Sequence, residues 1–178
     1  MARSVSCLAI GIDALEETLV RRLLKSGMLP NLASLQRAGR TTRLQSPAVY
    51  GSGCVWPTFI SGLSPESHGV YSEWLWRPDG MTIEAYDPSR LRPFWAGLEK
   101  KGISVGVLDV PLAPRLGVRD GFEVSEWGAH DIIYGDTYAS PASIHVKIGE
   151  IGPHPFGNSP PKSSGPGDID GLRRIAET

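Results

Sequence analysis

Cysteine is scarce in this chain: only Cys7 and Cys54 occur among its 178 residues. Two cysteines are too few for a disulfide framework, and they lack the paired spacing of a zinc knuckle. Cys7 lies in a short apolar run, which predicts a buried strand residue. The cysteine content excludes a small scaffold held together by disulfides.

The chain also lacks an excess of charge of either sign. Lysine and arginine number 18 and aspartate and glutamate number 19, so the formal net charge is -1 at pH 7. Such a chain has no overall attraction for a polyanion, and binding to nucleic acid or to an acidic membrane surface is not favoured. Any phosphate group must be bound by local groups.

Long hydrophobic runs are absent as well. The apolar stretch over residues 5–12 is too short to span a membrane, and no small-residue cleavage site follows it. The sequence therefore predicts a cytoplasmic protein. Its hydrophobic share of 40% and charged share of 21% are those of an ordinary globular domain.

Strand-like and helix-like segments alternate along the chain. Residues 5–12 are a β-rich apolar run closed by Asp13, which is typical of a buried parallel strand that carries a carboxylate at its end. Leucines recur at helical spacing over residues 15–24, Gly27 is placed to cap that helix, and Pro30 opens a second one that a glycine closes. This order predicts an α/β layered domain.

The later segments continue this alternation of strands and helices as far as Tyr134, where we expect the alternation to stop. A helix is predicted just after Ser52, and a hairpin is predicted around the Pro-Asp-Gly turn at 78–80. The helix after Ser52 covers residues 55–60. The remaining predicted elements are a second strand over 41–44, a helix over 93–101 and a third buried strand over 103–108.

The C-terminal part changes in composition. Twelve of the sixteen residues over 152–167 are Pro, Gly or Ser, which predicts a long loop. Residues 168–178 begin like a helix but allow only about two turns, which are marginal alone. We divide the chain into the N-terminal part of an α/β domain (1–151), the loop (152–167) and the start of a helix (168–178), and we expect the fold to be truncated.

Two residues stand out as candidates for chemistry. Asp13 follows a predicted strand, where ligand sites of open α/β sheets form, although a loop or N-cap aspartate would look the same. Ser52 lies between Gly51 and Gly53 just before a helix, where small neighbours permit close approach of a substrate; a loop or N-cap serine is the alternative. Cys54 is a weaker nucleophile candidate because no histidine base stands beside it.

The histidines give no metal signature. His68, His130, His145 and His154 are scattered and form no pair at metal-ligand spacing. His68 is most simply a turn residue. His130 and the adjacent Asp131 could bind a cation or form an ordinary hydrogen-bonded pair.

The order of several motifs resembles that of one enzyme family. The motifs are Ile-Gly-Ile-Asp-Ala-Leu at 10–15, Gly-Met-Leu-Pro-Asn-Leu at 27–32, Trp-Pro-Thr-Phe-Ile-Ser-Gly-Leu-Ser-Pro-Glu-Ser-His-Gly at 56–69 and Gly-Val-Leu-Asp-Val-Pro at 106–111. Together they resemble the type I phosphodiesterase and nucleotide pyrophosphatase family of the alkaline phosphatase superfamily. The resemblance extends from about residue 5 to about residue 131.

The resemblance implies a layered fold with a mostly parallel central sheet flanked by helices, and a phosphoryl-transfer site with two zinc ions. The family's first metal ligand matches Asp13. Its nucleophile, also a metal ligand, lies nine residues before a Thr/Ser-Gly step, and counting back from Ser61 gives Ser52. Two cations roughly 4 Å apart would stabilise the attacking and leaving oxygens. Thr58 lies on the helix and is expected to be structural.

The resemblance is incomplete. The family's other zinc ligands, which include an Asp-His-Gly segment, come from far downstream, and nothing in this chain matches them. We therefore expect a metal-dependent hydrolase of phosphodiesters or phosphomonoesters whose site needs a missing C-terminal half or a partner chain. The alternative is a catalytically silent fragment or interaction module of the same fold. An unrelated nucleotide-binding domain lacks support because no Gly-x-Gly-x-x-Gly motif is present.

The substrate class implied is a small phosphate ester, with no nucleic-acid or membrane partner. Walls around its leaving group are expected from Tyr50, Trp74 and Trp76, or from sequence that this chain lacks.

Overall fold

The computed structural model describes residues 7–128 and 133–154. The chain divides into two compact units, residues 1–45 and residues 46–178, and each is described by itself. Within the described residues, no helix has the length and apolar character needed to cross a membrane. The predicted loop over 152–167 is described only as far as residue 154, and the predicted helix over 168–178 lies outside the described residues.

Over residues 7–45 of the first unit, the regular structure consists of two helices, α1 (Glu17–Lys25) and α2 (Pro30–Ala38). The Glu16 carboxylate caps α1 by accepting the backbone N–H groups of Thr18 and Leu19. At the other end, Gly27 and Met28 donate their N–H groups to carbonyls of the last turn, which is a Schellman motif. Both predicted helices are confirmed. They could be predicted because the residues that begin and end a helix act within one turn of it.

The two strands predicted in this unit are wrong. Residues 7–12 and 41–44 form no strand, and Leu8 and Leu44 are each 84% exposed. Cys7, expected to be buried, is exposed. A strand is held by its ladder of hydrogen bonds to a neighbour, and the described part of this unit contains helices only, so neither segment has a strand to pair with.

The described part of the second unit contains the helices α3 (Val55–Ser61), α4 (Pro65–His68) and α5 (Ala142–Ile151). The first confirms the helix predicted over 55–60. The helix predicted over 93–101 is wrong: turns run through this segment and only Glu99–Lys101 is helical, as a single 3-10 turn. Gly97 has φ +87°, outside the right-handed helical region, and interrupts the segment.

The predicted hairpin is confirmed. Strand β1 (Trp74–Arg77) pairs antiparallel with β2 (Thr82–Ala85), with Trp74 opposite Ala85 and Arg77 opposite Thr82. The Pro-Asp-Gly turn joins them.

A second sheet contains β3 (Val105–Leu108), β4 (Gly121–Ser125) and β5 (Tyr138–Ser140) in that order. Strands β3 and β4 are parallel, whereas β4 and β5 are antiparallel. The mixed α/β character is confirmed, but the mostly parallel central sheet is not, since one of the three described strand pairs is parallel. The alternation of strands and helices, which was predicted to stop at Tyr134, continues into β5 and α5.

The core lies in the second unit and contains residues from α3, from β3 and from the segments on either side of the hairpin. Val105 and Val107 are buried whereas Leu108 is 55% exposed, so β3 is buried on one face and not on both as predicted. The other large residues of the core are Ile60, Val70, Tyr86, Leu91, Trp95, Leu112 and Val118. This core fixes the start of α3, and therefore the segment that contains Ser52.

Candidate functional site

Ser52 is exposed and begins a 3-10 turn, Ser52–Cys54, that leads directly into α3. The backbone N–H of Val55 donates to the Ser52 carbonyl, which links the turn to the helix. Ser52 therefore lies just before the helix, as the sequence predicts, but the N-cap position belongs to Cys54.

The glycines beside Ser52 are required by a close contact with the backbone of residues 71–72. A Cβ on Gly53 would lie 2.7 Å from the Ser72 Cα, and one on Gly51 would lie 2.7 Å from the Tyr71 carbonyl oxygen. Any larger residue would force the two segments apart. The small neighbours that the sequence assigns to substrate access thus serve, in the structure, to hold the Ser52 turn against a second segment.

Cys54 is fully buried, and its thiol is directed to backbone acceptors. The Sγ atom donates to the carbonyls of Gly51, at 2.9 Å, and of Pro47, at 3.2 Å. A thiol in this position stabilises the turn and is shielded from a substrate. The contacts favour a structural role for Cys54 over that of a nucleophile.

Asp13 lies in the first unit, in an exposed turn that precedes α1. The strand that was expected to carry it is not formed, and Ile10 and Ile12 just before it are 75% and 60% exposed. Asp13 and Ser52 belong to different units. Each of the two predicted metal ligands is therefore placed only within its own unit.

A metal pair needs more ligands than these two. Zinc usually takes about four donors, and the described ranges contain no group of three or more His, Cys, Asp or Glu side chains that could hold an ion. The described residues by themselves do not fit the two-metal site that the resemblance implies. His130 and Asp131, the other candidate pair, lie outside the described residues.

His68 is more than a turn residue. Its Nδ1 accepts the N–H of Val70 at 3.0 Å, and its Nε2 lies 2.9 Å from the Thr58 Oγ1. Because Nδ1 is an acceptor, the proton is on Nε2, which donates to Thr58. Burial lowers the pKa of His68 and keeps it neutral. The ring thus ties α4 to α3, which gives Thr58 the structural role expected of it.

The aromatic residues expected around a leaving group are exposed. Tyr50, Trp74 and Trp76 are 57%, 63% and 54% exposed. Trp74 and Trp76 lie on the same face of β1 because they are two residues apart. These side chains are accessible to a ligand, and no role for them is fixed by a contact.

The sequence gives no signal for a cavity beside the hairpin. Its volume is about 280 Å³, and its charged lining includes Arg77, Glu84, Asp87 and Arg90. These residues come from β1, β2 and the 3-10 turn after β2, in no recognisable motif. They are close only because the hairpin folds back on the segment that follows it.

Comparison with known proteins gives one match. A family model described as type I phosphodiesterase / nucleotide pyrophosphatase matches residues 7–148, which is most of the chain. No curated protein and no solved structure shows a significant match.

Proposed function

The chain belongs to the type I phosphodiesterase / nucleotide pyrophosphatase family, and from this we propose that it hydrolyses phosphodiesters or phosphomonoesters with Ser52 as nucleophile. The observation that carries the proposal is the extent of the family match, which includes both Asp13 and Ser52. The exposure of Ser52 on a turn clamped against residues 71–72 supports it, because a nucleophile must be accessible and fixed in position.

The proposed reaction has two steps. The Ser52 Oγ forms a bond to phosphorus while the ester P–O bond breaks, the leaving alcohol takes the electron pair, and the hydroxyl proton passes to solvent. Water then attacks phosphorus and breaks the Oγ–P bond, which restores the serine and releases phosphate or a monoester. Dividing the reaction into two displacements lowers the barrier of each.

Members of this family depend on metal ions, and we propose zinc, with Asp13 and Ser52 among the ligands of two ions. Bound zinc supplies Lewis-acid stabilisation of charge on the phosphoryl oxygens. Because the described residues do not provide enough donors, further ligands must come from elsewhere, and a missing C-terminal half or a partner chain is the proposed source.

The proposed substrate is a small phosphate ester, since the family acts on such compounds. Neither nucleic acid nor a membrane is proposed as a partner, because the net charge of -1 offers no attraction for a polyanion. A cytoplasmic location is proposed because the apolar stretch over residues 5–12 is too short to span a membrane and no small-residue cleavage site follows it.

The second candidate function is a catalytically silent module of the same fold. It is favoured by the shortage of grouped metal-ligating side chains in the described part of the chain. Such a module would keep the Ser52 turn and the core but would neither retain zinc nor turn over a phosphate ester.

The test is release of 4-nitrophenolate from bis(4-nitrophenyl) phosphate and from 4-nitrophenyl phosphate by the 178-residue chain, with and without added zinc. Because further metal ligands are proposed to come from outside this chain, we expect little or no release by the chain alone, and any zinc-dependent release should fall to background in Ser52→Ala. Ser143→Ala is the matched control, since Ser143 is an exposed serine on α5, and it should keep the wild-type rate. Turnover that survives in Ser52→Ala contradicts the nucleophile. Zinc retention by the wild-type chain supports an incomplete hydrolase site, whereas absence of both turnover and zinc retention favours the silent module.

A further inference from the structure

The cavity beside the hairpin, about 280 Å³ in volume, lies near the lower end of the range for small-molecule sites, about 300 Å³. Its lining includes His68, Leu75, Arg77, Tyr86, Arg90 and Leu91, and it does not include Ser52. The question is which chemical class of ligand these side chains would accept.

Hydrogen-bond donors dominate its polar lining. Arg77 donates through Nε to Glu84 at 2.8 Å, which leaves its two terminal amino groups for another acceptor. The Arg90 Nε is 3.7 Å from the nearer Asp87 oxygen, too far for a hydrogen bond. The other Asp87 oxygen already accepts the N–H of Ser89. Glu84 and Asp87 each have one carboxylate oxygen that accepts a hydrogen bond, whereas the terminal amino groups of both arginines make no hydrogen bond within the described residues, so unused donors outnumber unused acceptors at this site.

Tyr86 contributes a buried wall to the cavity. The residue is only 3% exposed, and its hydroxyl has no hydrogen-bond partner in the described structure. Burial raises the pKa of Tyr86, so the hydroxyl keeps its proton at neutral pH. The hydroxyl has almost no accessible surface, so it is closed off from the cavity and is not a donor to a ligand there.

The rest of the lining is apolar. Val70 and Leu91 are 4% and 6% exposed, and Leu75 is half-buried. Both ring nitrogens of His68 are engaged with Thr58 and Val70, so this side chain is a wall and not a donor to a ligand. A bare inorganic ion would leave these apolar surfaces uncovered.

We propose that the cavity binds a small organic oxyanion, a phosphonate, phosphate or carboxylate, with its charged group at Arg77 and Arg90 and its apolar part against Leu75 and Leu91. Charge-assisted hydrogen bonds from guanidinium to an oxyanion are the strong pairing at such a site. The proposal is independent of hydrolysis at Ser52.

Titration of the intact chain with phenylphosphonate, benzoate, inorganic phosphate and benzyl alcohol tests it, followed by the NMR shifts of the Arg77 and Arg90 Nε–H groups. We expect saturable shifts with phenylphosphonate, benzoate or both, which also separates a phosphoryl from a carboxyl ligand. Inorganic phosphate, which lacks an apolar part, and benzyl alcohol, which lacks the charge, should each bind at least about tenfold more weakly. Equal binding of benzyl alcohol, or shifts that do not saturate, would overturn the proposal.

Three variants separate recognition from a structural effect. Arg90→Gln should weaken phenylphosphonate or benzoate binding about tenfold or more; the Arg90 side chain is 71% exposed, so the fold should persist. Arg119→Gln, an exposed arginine outside the cavity, should leave affinity within about twofold. Glu84→Gln removes a competing carboxylate beside Arg77 and should tighten binding, whereas a merely structural role of the Arg77 pair predicts weaker binding. Equal weakening in Arg90→Gln and Arg119→Gln would contradict the site.

Discussion

Among single residues, His68 shows how one side chain can join several segments. Its ring accepts from Val70 and donates to Thr58, so both nitrogens are in use in the neutral form. A second proton on Nδ1 would remove the acceptor of the Val70 N–H and would charge a partly buried ring. The sequence places this histidine in a turn, but the bonds to Thr58 and Val70 depend on tertiary packing and have no sequence signal.

The lowered pKa of His68 predicts that stability falls on acidification. The unfolded chain takes up the proton near pH 6.5 and the folded chain only at lower pH, so protonation stabilises the unfolded state relative to the folded state as the pH falls through this interval, and the free energy of unfolding decreases. Urea midpoints at pH 7.5 and pH 5.5 measure the loss. In His68→Gln the loss should be smaller; an unchanged pH dependence would show that His68 does not cause it.

Two glutamates test how strongly burial controls the contribution of a carboxylate to the free energy of unfolding. Glu123 is 2% exposed and accepts the N–H groups of Leu116 and Gly117, whereas the more exposed Glu99 accepts those of Arg119 and Asp120. We expect Glu123→Gln to lower the free energy of unfolding by about 2 kcal/mol, because a buried acceptor is lost. The matched Glu99→Gln should cost less than about 1 kcal/mol. Chemical denaturation measures both, and equal losses would contradict the role given to burial.

At the scale of elements, local signals predict helices better than strands. The ends of α1 and α2 depend on residues within one turn, such as Glu16, Gly27 and Pro30, and both were predictable. The strands over 5–12 and 41–44 were not, since a strand requires a neighbour that hydrophobic patterning does not identify. The hairpin is the exception because its partner follows directly after the turn.

The segment over 93–101 contains a glycine, Gly97, whose backbone conformation would be strained in any other residue. Gly97 has φ +87°, which an alanine adopts only with strain, so Gly97→Ala should lower the free energy of unfolding by about 1 kcal/mol. Gly149→Ala is the matched control: Gly149 lies in α5 with open space around its Cα, and this change should add about 0.5–1 kcal/mol. Denaturant midpoints that shift in the same direction for both variants would contradict this account of the segment.

At the scale of the whole molecule, the order of motifs predicted the family, and the match over residues 7–148 confirms it. The mostly parallel sheet is not confirmed: among the described strand pairs only that of β3 with β4 is parallel, and the partner and direction of a strand depend on tertiary packing that hydrophobic patterning does not identify. Asp13 and Ser52 as metal ligands, and Ser52 as nucleophile, stay predictions: they belong to different units, and a metal site depends on the convergence of distant segments. The cavity at Arg77 and Arg90 depends on the same kind of convergence.

The most direct test of the central claim is to find the phosphoryl group on the protein. The chain is mixed with zinc and 4-nitrophenyl phosphate, quenched in acid, digested and examined by mass spectrometry. We expect that any phosphoryl group trapped on the chain lies on the peptide that contains Ser52, and that none lies on that peptide in Ser52→Ala. A phosphoryl group on a different residue, or hydrolysis that proceeds with no adduct on the wild-type chain, would contradict it.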